Sequence, residues 1–372
     1  MKKILCIIFL APIFIVGYMG FKRYKANQAS IIPYPFKITK QTYSSISSTA
    51  PILIVGDSMG KRLTMFKDRL AAQISKNLSS PIKIDSLAHE GDNIHRTLKK
   101  LESLKKTPLI IIYIGNQDET YEYLFESKYL KKITENFKLY QNDYIKTALM
   151  IAPTLSRVIY EPIKYVWLGE KIDKDETSYD DQEFQKRTAM HYTLYQEGIY
   201  QLFDYVKKRN ALIIPLTTPI NLKRSPRKSC YGSFTADAKT QVKSLIELIK
   251  SKDFKSAYNL SNELALTNPY NSKINYLHSK VLRKLNQFKK AQKYAELSHV
   301  YDCAHTGANP VYNSILKKAS SKYRYEYLDF HQQLVDESQD NYVFLDETYP
   351  QDVFFEQIVD ALAYKIKKRL KL

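Results

Sequence analysis

The sequence predicts an α/β protein with a central, mostly parallel sheet, an all-α repeat insert and an N-terminal membrane helix. Three observations predict this organisation. Short apolar runs at 52–55, 109–114 and 211–216 alternate with segments of helical periodicity. Two related segments 34 residues apart interrupt this alternation within residues 237–304. An apolar run over residues 4–21 precedes the first strand.

Length and charge narrow the class of protein. A chain of 372 residues is long enough for one large domain and a smaller one. The net charge of +19 favours anionic partners such as phospholipid, acidic polymers or nucleic acid. The basic residues are scattered along the sequence, and no RNA- or DNA-binding motif accompanies them. We therefore expect a solvated basic surface facing a negative membrane, and no nucleic-acid partner.

The first 25 residues form a predicted signal peptide or membrane anchor. Lys2 and Lys3 precede the apolar run 4–21, and basic residues follow it. A run of this length is near the lower limit for crossing a bilayer, and no convincing cleavage site follows it. We favour an uncleaved anchor in a bacterial inner membrane, with the domain facing the periplasm or exterior, or secretion if it is cleaved. Residues 26–50 are polar and are predicted to be a linker.

The stretch 51–60 places a serine directly after a predicted strand. Ile52–Val55 is a short apolar run bounded by Pro and Gly, which indicates a buried parallel strand. Asp57 and Ser58 follow it, and a helix is predicted from Lys61 to Asn77. Ligands of open α/β sheets bind just beyond the carboxyl ends of strands. The alternative is that both residues only cap the helix.

Three further blocks follow in order. A short strand over 82–87 leads to a loop that contains Gly91. After a helix over 94–104, the predicted strand 109–114 ends in Gly-Asn-Gln-Asp at 115–118. Residues 344–350 read Phe-Leu-Asp-Glu-Thr-Tyr-Pro and precede a basic amphipathic helix over 353–370.

With these blocks the chain resembles the SGNH (GDSL-type) hydrolases over residues 50–235 and 300–372. The resemblance implies a three-layer α/β/α fold and transfer or hydrolysis of acyl groups on lipids, glycans or other esters. It implies Ser58 as nucleophile and Gly91 as an oxyanion donor. Asn116 or Gln117 would supply the second donor, since Gln117 stands where the family has Asn.

The fourth block departs from the family at the position of the general base. Asp346 matches the acid of the Asp-x-x-His segment, but Tyr349 stands where the histidine is expected. A phenol with a pKa near 10 is a poor base at neutral pH. His89 and His95 flank the Gly91 loop, and Asp302-Cys303-Ala304-His305 spells Asp-x-x-His before the last predicted strands, one of which is 325–329. These histidines are the candidates to replace the missing base.

The middle of the chain is long and rich in tyrosine. Residues 119–200 are interpreted as a lid or specificity insert, or as ordinary helical packing. A helix is predicted over 181–209, and the apolar run 211–216 then predicts another central strand.

Residues 237–304 look like two tetratricopeptide-type helix-turn-helix units. Phe254 and Ala257 recur as Phe288 and Ala291, which is the 34-residue period of such repeats. The insert is predicted either to recruit a protein partner or to be structural only. Cys230 and Cys303 flank it, and they would form a disulfide in an exported protein or stay reduced otherwise.

These predictions divide the chain into five segments and lead to two hypotheses about function. The segments are an anchor (1–25), a linker (26–50), an SGNH-like domain in two parts (51–236 and 305–372) and the helical insert (237–304). The first hypothesis is an esterase or acyltransferase acting on an acylated glycan or lipid, with Ser58 and Asp346 in catalysis. The second is an inactive SGNH-type fold used for binding. No metal or organic cofactor is predicted.

Overall fold

The computed structural model describes residues 16–18, 21, 48–76, 78–119, 180–231, 236–304, 307–338 and 343–371. Most of the predicted anchor and linker, His305 and most of the tyrosine-rich segment lie outside these residues. Among the helices described, none is long and apolar enough to cross a membrane.

The sheet has four parallel strands in the order β2-β1-β3-β4. The strands are β1 Ile52–Gly56, β2 Ile84–Ser86, β3 Ile110–Ile114 and β4 Leu212–Leu216. Every residue of β1 and β3 is buried, as expected for central strands covered on both faces. The predicted strands at 52–55, 82–87, 109–114 and 211–216 are therefore present, with β2 shorter than expected.

Helices cover both faces of this sheet. The helices of this layered region are α1 Ser58–Thr64, α2 Lys67–Ser75, α3 Ile94–Ser103, α4 Asp181–Lys208, α9 Pro310–Tyr323, α10 Phe330–Glu337 and α11 Asp352–Leu370. Ile52 and Ile54 of β1 pack with residues of α1, α2, α10 and α11. Leu53 and Val55 point to the opposite face and pack with α3, α4 and α9. The alternation within one strand thus divides the apolar core into two layers.

Two sequence predictions differ from the structure. The predicted helix 61–77 begins earlier, at Ser58, because Asp57 caps it, and it is interrupted between α1 and α2. At the break Phe66 stacks against Phe355 of α11, with ring centroids 5.7 Å apart. The predicted strand 325–329 is only a single parallel bridge between Leu328 and Leu216.

The insert contains the four helices that its repeat predicts. They are α5 Ala236–Lys250, α6 Phe254–Thr267, α7 Ser272–Lys284 and α8 Phe288–Val300. Ala257 and Ala291, the repeated small residues, are buried. They allow the paired helices to approach closely.

The domain's own chain covers one side of the insert. Ser229 Oγ accepts the Ser272 N–H at 3.0 Å, and the Tyr276 hydroxyl donates to the Lys223 carbonyl at 3.2 Å. Cys230 and Cys303 form a disulfide at the base of the insert. Segment 223–230 therefore holds α7 against the rest of the fold.

Candidate functional site

The candidate site lies where β1 and β3 end beside each other. From β1 the chain goes to β2 on one side, and it then crosses back to β3 on the other side of β1. Where the strand order changes direction in this way, a crevice opens at the carboxyl edge of the sheet. Ser58 follows β1, and the segment 116–119 follows β3. The two blocks that are far apart in sequence are thus brought together by parallel pairing.

Gly56 allows the two strand ends to approach each other. Its φ is +134°, and a Cβ at this position would stand 1.7 Å from the carbonyl oxygen of Ile114. A residue with a side chain would clash with β3 at the point where the site begins.

The carboxylate of Asp57 joins the two blocks. Oδ1 accepts the Met59 N–H at 2.9 Å and caps α1. Oδ2 accepts the N–H groups of Asn116, Gln117 and Asp118 at 2.8, 2.6 and 3.1 Å. Asp57 is buried, so these donors replace the water that a carboxylate needs. It acts as both a helix cap and the anchor of the β3 loop.

Asp118 binds the backbone amides of Ser58 and Gly91, of which the family resemblance assigns Gly91 to the oxyanion hole. Its Oδ2 accepts the Ser58 N–H at 3.0 Å and the Gly91 N–H at 2.9 Å. These are the lengths of ordinary N–H···O hydrogen bonds. Gly91 has φ +79°, a conformation that aims its N–H at this point. A single carboxylate oxygen therefore bridges the serine turn and the Gly91 loop.

The Ser58 side chain is buried next to Tyr349. Within the described residues Ser58 Oγ has no hydrogen bond of ordinary geometry, and the group that interacts with it is the Tyr349 phenol. Partial burial raises the pKa of the Tyr349 phenol, and the neighbouring Ser58 side chain opposes this shift. The residue that replaces the expected histidine is therefore beside the serine, but its raised pKa leaves even less phenolate at neutral pH than an ordinary tyrosine has.

The Asp346 carboxylate accepts hydrogen bonds from its own loop. Its side chain is exposed, and Oδ1 accepts the N–H groups of Thr348 and Tyr349. This turn fixes the backbone that carries Tyr349. The carboxylate thereby positions Tyr349 through the main chain.

The two candidate amide donors point elsewhere. Asn116 donates through Nδ2 to Asn313 Oδ1 at 3.0 Å, inside the core. Gln117 accepts the Ala308 N–H through Oε1 at 3.2 Å. Both side chains join the β3 loop to the start of α9 and the segment before it.

The described histidines His89, His95 and His331 have contacts with groups other than Ser58. His89 is exposed, and its Nδ1 lies 2.8 Å from the carbonyl oxygen of Glu90. His95 is fully buried beside α4, and burial lowers its pKa to about 3. His331 is close to Ile220 N and Glu296. The predicted replacement by His305 lies outside the described residues.

Buried acids surround the serine. Burial raises the pKa of Asp57 to about 7, and repulsion from Asp118 adds to the shift. Glu119 is buried and caps α3 through the Ile94 N–H at 2.9 Å, and burial raises its pKa well above the usual value. Asp92 in the Gly91 loop is paired with the buried Lys100. The carboxyl edge of the sheet is therefore acidic.

A cavity opens beside the Tyr349 loop. It has a volume of about 540 Å³, and its lining includes Leu222, Arg224, Leu334, Phe344 and Leu345. Cavities of this size suit small organic ligands. A narrower pocket lined by Gln117, Asn221 and Thr348 shares residues with it and leads toward the β3 loop.

The structure brings together Ser58, Gly91 and Tyr349, which the sequence singled out, and it adds Asp118, which sequence reasoning missed. Asp118 was visible only as the last letter of the third block. Its role depends on two backbone N–H groups, which no side-chain pattern reveals. An acid directly after a central strand, opposite a Gly-Asp-Ser turn, is the one signal that was present.

Comparison with models of known protein families gives no match, and comparisons with curated proteins and with solved structures give none either.

Proposed function

We propose that this chain is an SGNH-like binding protein that holds an acylated glycan or lipid without hydrolysing it. The observation that carries the proposal is the pair of hydrogen bonds from Ser58 N–H and Gly91 N–H to Asp118 Oδ2. Oxyanion stabilisation requires donors that are available when negative charge develops on the substrate. Here these donors are already used by a carboxylate.

The group beside the serine supports the same proposal. Activation of a serine requires a base within hydrogen-bond reach and with a pKa near the working pH. Among the described residues, the group that interacts with the Ser58 side chain is the Tyr349 phenol, and burial raises its pKa. A serine in this environment stays protonated.

The cavity suggests what is bound. Leu222, Leu334 and Phe344 give it an apolar lining, and Arg224 and Glu347 form an ion pair at 3.2 Å beside it. An acyl chain fits the apolar part, and the hydroxyl groups of a glycan or lipid head group fit the polar part. The covering of α7 by segment 223–230 favours a structural role for the insert in shaping this cavity.

Binding and cleavage are measured separately. The full chain is titrated with dansyl-undecanoic acid, a fluorescent acyl chain, and incubated with p-nitrophenyl butyrate. We expect saturable binding and no nitrophenol release above that of Ser58→Ala. Leu345 is 60% exposed in the cavity lining, so Leu345→Glu should weaken binding at least about five-fold by placing a charge there.

Leu266→Glu is the matched control, because Leu266 is 69% exposed on the insert and away from the cavity lining. Equal binding by both variants would refute the assignment of the cavity. Ester cleavage that disappears in Ser58→Ala would refute the absence of hydrolysis and would favour the esterase hypothesis.

A further inference from the structure

The amino-terminal edge of the sheet gathers basic residues that are scattered in the sequence. The starts of three strands are directly connected there: Leu109 N–H donates to Pro51 O at 2.8 Å, and Leu212 N–H donates to Leu109 O at 2.8 Å. Because the sheet is parallel, helices that return the chain to this edge also end there. This edge is opposite the candidate site.

The ends of α3 and α4 meet at this edge. The Tyr205 hydroxyl of α4 donates to the Leu101 carbonyl of α3 at 2.8 Å. Lys105 and Lys106 follow α3, and Lys207 and Lys208 form the last turn of α4. All four lysines are exposed.

The end of α9 lies beside the end of α4. The Tyr323 hydroxyl donates to Asp204 Oδ1 at 2.9 Å, and Lys322 Nζ is 4.3 Å from the centroid of the Tyr200 ring. Arg324 follows α9 and is exposed. A third basic helix end thus extends the same surface.

The end of α11 arrives next to this surface. Arg69 of α2 pairs with Glu356 at 2.7 Å and with Asp360 at 3.3 Å, so α11 runs alongside α2 toward the edge. Lys365 then pairs with Glu326 at 3.2 Å, and Lys368 is exposed one turn later. We call Lys105, Lys106, Lys207, Lys208, Arg324 and Lys368 the basic edge.

Apolar side chains lie among these cations. Leu109 is 59% exposed and Leu212 is 36% exposed, and their backbones are hydrogen-bonded to each other. Positive charge at a helix C-terminus is favourable by itself because of the helix dipole. The dipole explains one lysine on each helix, but it does not explain exposed leucines between them.

We propose that the basic edge docks on a bilayer surface rich in anionic phospholipid. Lysine and arginine near such a surface are attracted by its negative potential, and exposed leucines can enter the interface. The strand β1 starts at this edge, and the chain that precedes it carries the apolar run 4–21. The candidate site, at the opposite edge, then faces away from the lipid.

The experiment measures lysine accessibility in the full chain. The protein is placed in nanodiscs of phosphatidylcholine alone, or with about one third phosphatidylglycerol, and is labelled with an amine-reactive reagent. Mass spectrometry follows each lysine. We expect labelling of the basic edge to slow at least about five-fold with phosphatidylglycerol and to recover at high salt, since salt screens the attraction.

Lys239 and Lys243 on α5 are exposed controls that should label equally in both lipids. A fourfold variant, Lys105→Glu with Lys106→Glu, Lys207→Glu and Lys208→Glu, should lose the protection of Lys322 and Lys368, and circular dichroism checks its fold. Equal labelling of the basic edge in both lipids would overturn the proposal. Protection that persists in the fourfold variant, or that appears equally on α5, would also overturn it.

Discussion

The two edges of the parallel sheet differ in the titratable groups that they carry and in how those groups are held. At the carboxyl edge Asp57, Asp118 and Glu119 are bound by backbone N–H groups from neighbouring loops and helices. At the amino edge lysines such as Lys106 and Lys207 are exposed to solvent. Buried, bonded charges fix the backbone, whereas exposed charges change stability little and act on the surroundings. Substitutions at the two edges should therefore have very different effects.

The largest effect is expected for Gly56→Ala. The new Cβ would overlap the Ile114 carbonyl oxygen, and the positive φ would be strained. We expect a loss of at least about 5 kcal/mol of unfolding free energy, or no folded protein. Chemical denaturation followed by circular dichroism measures it, with Lys207→Ala at the amino edge as control. A loss below about 1 kcal/mol for Gly56→Ala would contradict the close approach of β1 and β3.

The next effect is expected for Lys100→Met. Lys100 is 4% exposed and neutralises Asp92, which is 1% exposed, and it also donates to the Leu87 carbonyl at 3.0 Å. Removing one partner leaves a buried charge, which costs about 3–5 kcal/mol. The neighbouring Lys99→Met is the matched control, because Lys99 pairs with the partly exposed Glu102. Equal denaturation midpoints for the two variants would exclude a structural role of the buried pair.

A smaller, pH-dependent effect is expected from Asp57. Burial raises its pKa from 3.8 to about 7, so the folded protein keeps a proton that the unfolded chain has lost within this interval. The contribution of Asp57 to the unfolding free energy therefore falls as the pH rises from about 4 to about 7, and it is level above that. Carbon-13 NMR of the Asp57 carboxyl group measures the titration directly.

The variant Asp118→Asn tests the cause of this pKa shift. It removes the negative charge that repels the Asp57 carboxylate, and it keeps a side-chain oxygen that can accept the Ser58 and Gly91 N–H groups. The Asp57 midpoint should move to lower pH in this variant. A midpoint near 4 in both proteins would show that the four backbone donors outweigh burial.

The smallest effect is expected at the amino edge. Glu326→Gln removes the ion pair with Lys365 at 3.2 Å and weakens the contact with Arg369. Exposed pairs of this kind contribute less than about 1 kcal/mol. Thermal unfolding at low and high salt should give almost the same result for this variant and the wild type. A loss of unfolding free energy as large as that of Lys100→Met would contradict the predicted difference in stability effects between the two edges.

The sequence was sufficient for the four strands of the sheet and for the helices of the insert. Strand β1 and strand β3 are continuous apolar runs, and the spacing of Phe254 and Phe288 predicted four helices. The break at Phe66 was not predictable, because no proline or glycine marks it and it depends on packing against Phe355. The strand expected at 325–329 has the right composition but pairs only at Leu328.

The two edges were harder to predict than the strands. Asp118 acts through backbone N–H groups that only the folded loops bring together. Basic residues at 105–106, 207–208 and 322–324 appear scattered in the sequence. They converge because parallel strands return successive helix ends to one edge. This surface could have been predicted by recording the charged residues at the end of each helix that precedes a strand.

The most direct test of the account is labelling of the full chain with a fluorophosphonate probe, with Ser58→Ala as control and an active serine hydrolase labelled in parallel. Because Asp118 holds the Ser58 and Gly91 amides, and the described group beside the Ser58 side chain is a phenol whose pKa is raised by burial, we predict no labelling of the folded wild-type protein beyond that of Ser58→Ala. Stoichiometric labelling of Ser58 in the wild type would contradict the account, since it would require an activated serine and available oxyanion donors.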